Sequence, residues 1–292
     1  MIVVSNIHIP ALANRVPKKD RKPIADTLTG DVAYYTTPQQ KKSKHYESDS
    51  DDEDEEVLTM FDDVCGDVDK PCQSITHTNW RPVFNDRMTM FIAGTPGAGK
   101  SYLAKEMINL LPRDIKILLF TALEENDGNF DELGTDRIFK IKMVPDVLSK
   151  ITLAEIRERA GGKQAILLFD DVDKIRDPKV QNLTFAIMND ALANGRGHTK
   201  HDGTGDLHVI CTSHSANDYQ KTKYTFENSN YVALFPGTTP PLQMYRMFDK
   251  LGLDKELCKQ MIHLARTQRI RSVIIHKVVP MYMIFGDKIM LL

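Results

Sequence analysis

Short unbroken apolar runs alternate with segments whose apolar residues recur every three to four positions, and this alternation begins only after Trp80. An unbroken run suits a strand buried on both faces, whereas three-to-four spacing suits a helix with one buried stripe. Met88 to Ala93 is thereby expected as the first strand. Lys100 to Leu111 follows as a helix, with Leu103, Met107, Ile108 and Leu111 on one face and Pro112 as its stop. "DIKILLFTA" from Asp114 and "RIFKIKM" from Arg137 read as further strands, and Pro145 to Arg159 as an amphipathic helix. From Gln164, "QAILLFDDVDKI" is an apolar strand ending in two carboxylates; Lys179 to Asn194 is a helix. "LHVICTSH" from Leu207 and "NYVALFPG" from Asn230 are two more buried strands. In the closing "SVIIHKVVPMYMIFGDKIMLL" two β-rich runs flank Gly286-Asp287, a hairpin signal. The expected fold is α/β: a central, mostly parallel sheet flanked by helices, with antiparallel strands added at one edge.

Before Trp80 this texture is missing. Pro17, Pro23, Pro38 and Pro71, the cluster Lys41-Lys42-Ser43-Lys44 and the acidic run "ESDSDDEDEE" leave few apolar residues to offset the entropy of ordering. Residues 1–80 therefore read as a largely flexible arm and residues 81–292 as the folded domain. The net charge of −2 over 292 residues sums these unlike parts, since the domain alone carries a small positive excess. That excess permits contact with a polyanion. The four cysteines, Cys65, Cys72, Cys211 and Cys258, show no zinc spacing and read as reduced thiols. No apolar run reaches the length of a membrane span, so a protein inside the cell without a membrane contact is expected.

The chemistry concentrates between the first strand and the first helix. Gly94-Thr95-Pro96-Gly97-Ala98-Gly99-Lys100-Ser101 fits the phosphate-loop template at every constrained position, and Tyr102 follows it on the helix. Glycines let backbone N–H groups converge on one anion, and the helix directs its positive end at the same point. These residues are expected to hold ATP. Lys100 would reach the β- and γ-phosphates, and the Ser101 hydroxyl would ligate Mg2+. Asp170 completes the metal shell as in the Walker B arrangement, and Asp171 is placed to orient or deprotonate the attacking water. No guanine-reading N-K-x-D motif is present, and an adjacent acidic pair without an Arg-rich lid favours water over a small-molecule acceptor. An ATP hydrolase is expected.

From Asn189 the chain runs through a helix, the loop Gly195-Arg196-Gly197-His198, a strand ending Thr212-Ser213-His214, and an asparagine-rich approach to "VALF". With the phosphate loop and the acidic-pair strand, this order resembles the genome-packaging ATPases of large double-stranded DNA viruses, within the FtsK–HerA class of P-loop, RecA-like (ASCE) ATPases. The likeness runs from Met88 to Leu292. It implies a pentameric or hexameric ring that translocates double-stranded DNA, docked on a capsid portal or vertex protein, in host cytoplasm, a viral factory or the virion. It also implies an arginine that reaches a neighbour's γ-phosphate, for which Arg196 is the candidate, and a γ-phosphate sensor at the end of the strand. His214 stands where the family usually has glutamine, so Thr212, Ser213 and His214 are all candidates for that sensor. Arg266, Arg269 and Arg271 form a second basic group, and Lys221, Lys223 and Tyr224 could meet nucleic acid. A replication helicase or helicase loader, and a nucleotide-dependent assembly factor, are the alternative readings.

Overall fold

Strands that are buried at every position must lie inside a sheet covered on both faces, and four of them set the frame. The computed structural model describes residues 2–4, 21–26, 32–36, 75–76, 81–82, 84, 87–121, 128–197, 205–215, 219–267, 270–279, 281–286 and 288–292. The acidic run, the lysine cluster, His198, His201, Arg269, Asp287, Cys65 and Cys72 lie outside the described residues. The chain divides into two units.

The first unit comprises residues 1–83 and 279–292. In it β1 (Ile2–Val4), β2 (Arg21–Asp26), β3 (Val32–Thr36) and β5 (Arg81–Pro82) form an antiparallel sheet in the order β1-β3-β2-β5, with an irregularity between Pro23 and Ala25. Stretches of the segment read as an arm are thus strand. β4 (Ile75–Thr76) pairs antiparallel with the last strand of the chain.

The second unit, residues 84–278, contains the predicted alternation. In chain order it runs β6 (Thr89–Ala93), α1 (Lys100–Asn109), β7 (Lys116–Thr121), β8 (Ile138–Lys140), α2 (Pro145–Leu148), α3 (Leu153–Arg159), β9 (Ala165–Asp170) and α4 (Pro178–Asn194). It continues through β10 (Leu207–Ser213), α5 (Tyr219–Asn228), β11 (Tyr231–Leu234), α6 (Pro241–Lys250), α7 (Lys255–Thr267) and β12 (Val273–His276). The strand order is β12-β11-β6-β10-β9-β7-β8, parallel from β11 to β8. β12 runs antiparallel to β11. In the first unit β13 (Tyr282–Phe285) and β14 (Lys288–Leu291) pair across the predicted Gly286 turn, with Phe285 opposite Lys288. The expected α/β fold with antiparallel C-terminal strands is the one observed.

Every residue of β6, β9 and β10 is buried, so each contributes both faces to the core. Phe120 and Phe169, paired in register on β7 and β9, stack with centroids 4.6 Å apart. The register also fixes the site: Thr121 lies opposite Asp170, Cys211 opposite Phe169, and Ser213 opposite Ala93. The C-terminal ends of four strands, β6, β7, β9 and β10, therefore meet at one rim. Strand order reverses direction there, between β6 and its neighbours, which is where open α/β sheets place ligands.

Two elements differ from the sequence reading. Pro145 to Arg159 is two helices, because the Thr152 hydroxyl accepts the Glu155 N–H at 3.2 Å and starts a new helix after a turn at Ser149. The segment "YQKTKYTF", to which the hydrophobic pattern assigns no element, is part of helix α5.

Candidate functional site

α1 begins at Lys100 with Gly99 at its N-cap, and neither a side-chain cap nor an acidic residue in the first turn satisfies its leading N–H groups. Those donors and the dipole are left for an anion. Gly99 holds φ 101°, a left-handed conformation open to glycine, so the loop can fold back before the helix starts. At its other end the loop is tied to the sheet, where the Gly94 N–H donates to the Ser213 carbonyl at 3.1 Å. Thr95, Pro96, Gly97 and Ala98 lie between these anchors, Ser101 is half-buried, and Tyr102 is exposed.

Lys100 is buried, and its ammonium has two partners from distant sequence. Nζ lies 3.3 Å from His214 Nδ1 and 3.7 Å from Asp171 Oδ1. An ammonium has only protons to give, so Nδ1 accepts and the ring proton sits on Nε2. That proton is donated to Asp171 Oδ2 at 2.8 Å. His214 thus bridges the lysine of the phosphate loop and the second carboxylate of β9. The His214 backbone N–H in turn donates to Asp173 Oδ2 at 3.2 Å.

Asp171 is the non-glycine residue with positive φ among the described residues, at 49°. Aspartate tolerates this region better than most, and such backbone is found at functional sites because the surroundings hold it there. Here the holding group is Thr212. Its hydroxyl accepts the Asp171 N–H at 2.9 Å and donates to Asp170 Oδ1 at 2.8 Å, with Asp171 Oδ1 at 3.3 Å. Thr212 therefore fixes both acids rather than standing apart from them. Ser213 Oγ is turned to the Ser215 carbonyl at 3.0 Å, so it stabilises the turn after β10.

Ser101 and Asp170 are the residues expected to hold Mg2+. Asp170 is 1% exposed and oriented by Thr212, and Ser101 supplies a hydroxyl at the helix start. Among the described residues no group of three or more His, Cys, Asp or Glu side chains is arranged to hold a metal ion by itself. A hard cation that keeps several waters and binds phosphate oxygens fits this sparse oxygen set, as magnesium does. Cys211, buried on β10 beside these acids, has its thiol pushed well up by burial and then by Asp173, Asp170 and Asp171. It is inert.

Arg196 lies apart from this cluster in the described contacts. α4 starts with Asp177 capping the Lys179 and Val180 N–H groups ahead of Pro178, and it ends at Gly195. The buried Arg87 closes that end by donating to the Leu207 carbonyl at 2.6 Å, the Leu192 carbonyl at 3.1 Å and the Ala191 carbonyl. Burial pulls its guanidinium down to about 10, against the pull of Asp206. A methyl at Gly195 would collide with the Ala191 carbonyl and with Arg87, so only glycine fits. Arg157 donates to the Asn194 and Arg196 carbonyls at 3.3 and 3.0 Å, and Asp206 accepts the Gly197 N–H at 2.7 Å. The Arg196 backbone is pinned while its side chain stays exposed. Sequence reading missed Arg87, Arg157, Asp206 and Asp173. Asp173 alone had a signal, as a third carboxylate in "DDVD".

On α5, Tyr224 is exposed and Lys223 lies 3.8 Å from Glu227 one turn on. No helix among the described residues is long and apolar enough to cross a membrane.

Comparison with known proteins gives these features a family. Residues 90–229 match the model of the AAA family, the ATPase family associated with various cellular activities. The chain is 25% identical over 212 residues to the uncharacterized protein V3 of Sputnik virophage, covering 69% of this chain and 76% of that protein. Among solved structures it is similar to the genome packaging NTPase B204 of Sulfolobus turreted icosahedral virus 2 in complex with AMPPCP. That match has 13% identity and a TM-score of 0.40, covering 68% of this chain and 96% of the other. The pCW3 conjugation coupling protein TcpA with ATPgS matches at 12% identity and a TM-score of 0.43, covering 93% and 77%. The match over residues 90–229 contains the phosphate loop, the acidic pair and the strand-end Thr212 and His214, so this segment is similar to AAA-type P-loop ATPase domains.

Proposed function

We propose that the chain is a magnesium-dependent motor that hydrolyses ATP to translocate double-stranded DNA, in the setting of viral genome packaging. The observation that carries the hydrolytic part is the convergence of Lys100, His214, Asp171, Thr212 and Asp170 at one rim of the sheet. The motif order from Met88 to Leu292 supports the DNA motor, and so does a relative encoded by a virophage.

The residues divide the work. Loop N–H groups and the α1 dipole hold the triphosphate, and Lys100 places its charge on the β- and γ-phosphates. Ser101 and Asp170 would hold magnesium, which when bound neutralises charge on the phosphate oxygens. Asp171 takes a proton from the attacking water. His214, donating Nε2–H to Asp171 Oδ2, keeps the carboxylate oriented, with Oδ1 turned toward Lys100 and the Thr212 hydroxyl. Thr212 keeps the two acids in register with each other. Charge developing at the γ-phosphate is met by Arg196 of a neighbouring subunit, whose pinned backbone and exposed side chain suit reaching across a ring interface. A pentamer or hexamer docked on a capsid portal or vertex protein, in the host cytoplasm, a viral factory or the virion, is the assembly this reading requires.

The test is displacement of a triplex-forming strand from duplex DNA by the full chain with ATP. Displacement with Lys100→Ala silent supports the motor. Unwinding of a forked duplex without triplex displacement would instead favour a replicative helicase. Failure of both, with intact turnover, would leave a nucleotide-dependent assembly factor.

A further inference from the structure

We propose that Arg271 and Tyr102 form the platform on which the nucleobase of the bound nucleotide rests. This goes beyond the phosphate-loop assignment but depends on it. Tyr102 sits on the first turn of α1, two residues past Lys100, with 50% of its surface exposed. An aromatic ring left open beside a phosphate loop invites a second flat group. Arg271, from the segment between α7 and β12, places its guanidinium carbon 4.9 Å from the Tyr102 ring centroid. The same side chain crosses the loop at Gly99, its Cδ and Nη1 lying 3.4 and 3.7 Å from where a Cβ would stand. The arginine is therefore anchored at both the loop and the aromatic ring, at the start of α1.

Among the described residues no carboxylate forms an ion pair with Arg271. A guanidinium stacked on tyrosine presents a flat cationic surface and in-plane donors. A purine offers the complement, a π-face for stacking and ring nitrogens that accept hydrogen bonds. Tyr102 and Arg271 are exposed flat groups that adjoin residues 97–101, within reach of a base whose phosphates lie on that loop. Stacking of a base on an aromatic or guanidinium surface changes affinity by about 10-fold or more.

The experiment is calorimetric titration with ATP and, separately, with inorganic tripolyphosphate, which has the phosphates and no base. Arg271→Ala and Tyr102→Ala are both exposed changes, and melting curves check their folding. Each is expected to weaken ATP about 10-fold and leave tripolyphosphate within two-fold of wild type, while Tyr102→Phe retains ATP affinity and Arg271→Lys does not. Equal losses for both ligands would put Arg271 on the phosphates and overturn the proposal, as would unchanged ATP affinity. A wild type that binds neither ligand would remove the phosphate-loop reading, and this one with it; a wild type that binds both with variants unaffected removes this one alone.

Discussion

Replacing Thr212 by valine exchanges its hydroxyl for a methyl with little change in volume, so its effect measures what that hydroxyl does. Thr212 is fully buried, donates to Asp170 Oδ1 at 2.8 Å and accepts from the Asp171 N–H at 2.9 Å. A hydrogen bond to a charged carboxylate contributes about 1.5–3 kcal/mol, and an orphaned backbone N–H costs about 1–3 kcal/mol. Water can reach the half-buried Asp171 and recover part of this, and the added methyl offsets about 1 kcal/mol. The net expectation is a loss of about 2–3 kcal/mol in urea unfolding. Turnover should fall further than binding does, about 100-fold in kcat with ATP affinity within a few-fold, because the acids lose their mutual orientation rather than their charge. Thr212→Ser keeps the hydroxyl and should recover most of the turnover. A valine variant within about 0.5 kcal/mol of wild type that turns over normally would refute the reasoning, and so would a serine variant as slow as the valine one.

Three further outcomes are expected. Lys100→Ala and Asp170→Asn should abolish hydrolysis, whereas Asp171→Asn should bind ATP, measured by fluorescent-nucleotide displacement, yet lose turnover; full activity in Asp171→Asn would take it out of the base role. Arg196→Ala should bind ATP without hydrolysing it, and mixing it with Lys100→Ala subunits should restore part of the activity, since one contributes the arginine and the other the intact site; no recovery in any ratio would remove Arg196 from a neighbour's site. His208 gives a pH dependence: its ring accepts the Met88 N–H at 3.0 Å, and burial, reinforced by Arg87 and opposed by Asp206, lowers it from 6.5 to about 4. A lowered histidine favours the neutral form in the fold, so its contribution is complete above pH 6.5 and is lost as pH falls toward about 4, worth about 3 kcal/mol between those limits. Denaturation midpoints across this range should therefore drop with acid, and His208→Gln should flatten that limb.

The parts of this site that were legible in the sequence are those where chemistry fixes residue type at fixed spacing. A phosphate loop needs its glycines, lysine and serine within one turn, and β9 announced its acids by ending an apolar run with them. What the sequence concealed depends on strand register. His214 meets Asp171 and Lys100 because β10 inserts between β6 and β9, a neighbour relation that no local pattern encodes. Arg87 is a single basic residue ahead of a strand, and its three carbonyl partners lie more than a hundred residues away. α5 was hidden because its sequence, "YQKTKYTFEN", is mostly polar, with Thr222, Thr225 and Phe226 as its buried positions. Burial of two threonines beside a single phenylalanine, rather than an apolar stripe, holds that helix. The break between α2 and α3 was hidden for a different reason: a threonine can sit inside a helix or start one, and Thr152 starts one.

The most direct test of the central claim is steady-state phosphate release by the full chain with saturating ATP and magnesium, measured with and without long duplex DNA. Release that depends on Lys100 and Asp171 and rises several-fold with duplex is the result the account predicts. Release that is absent, or indifferent to duplex DNA at every concentration, would contradict it.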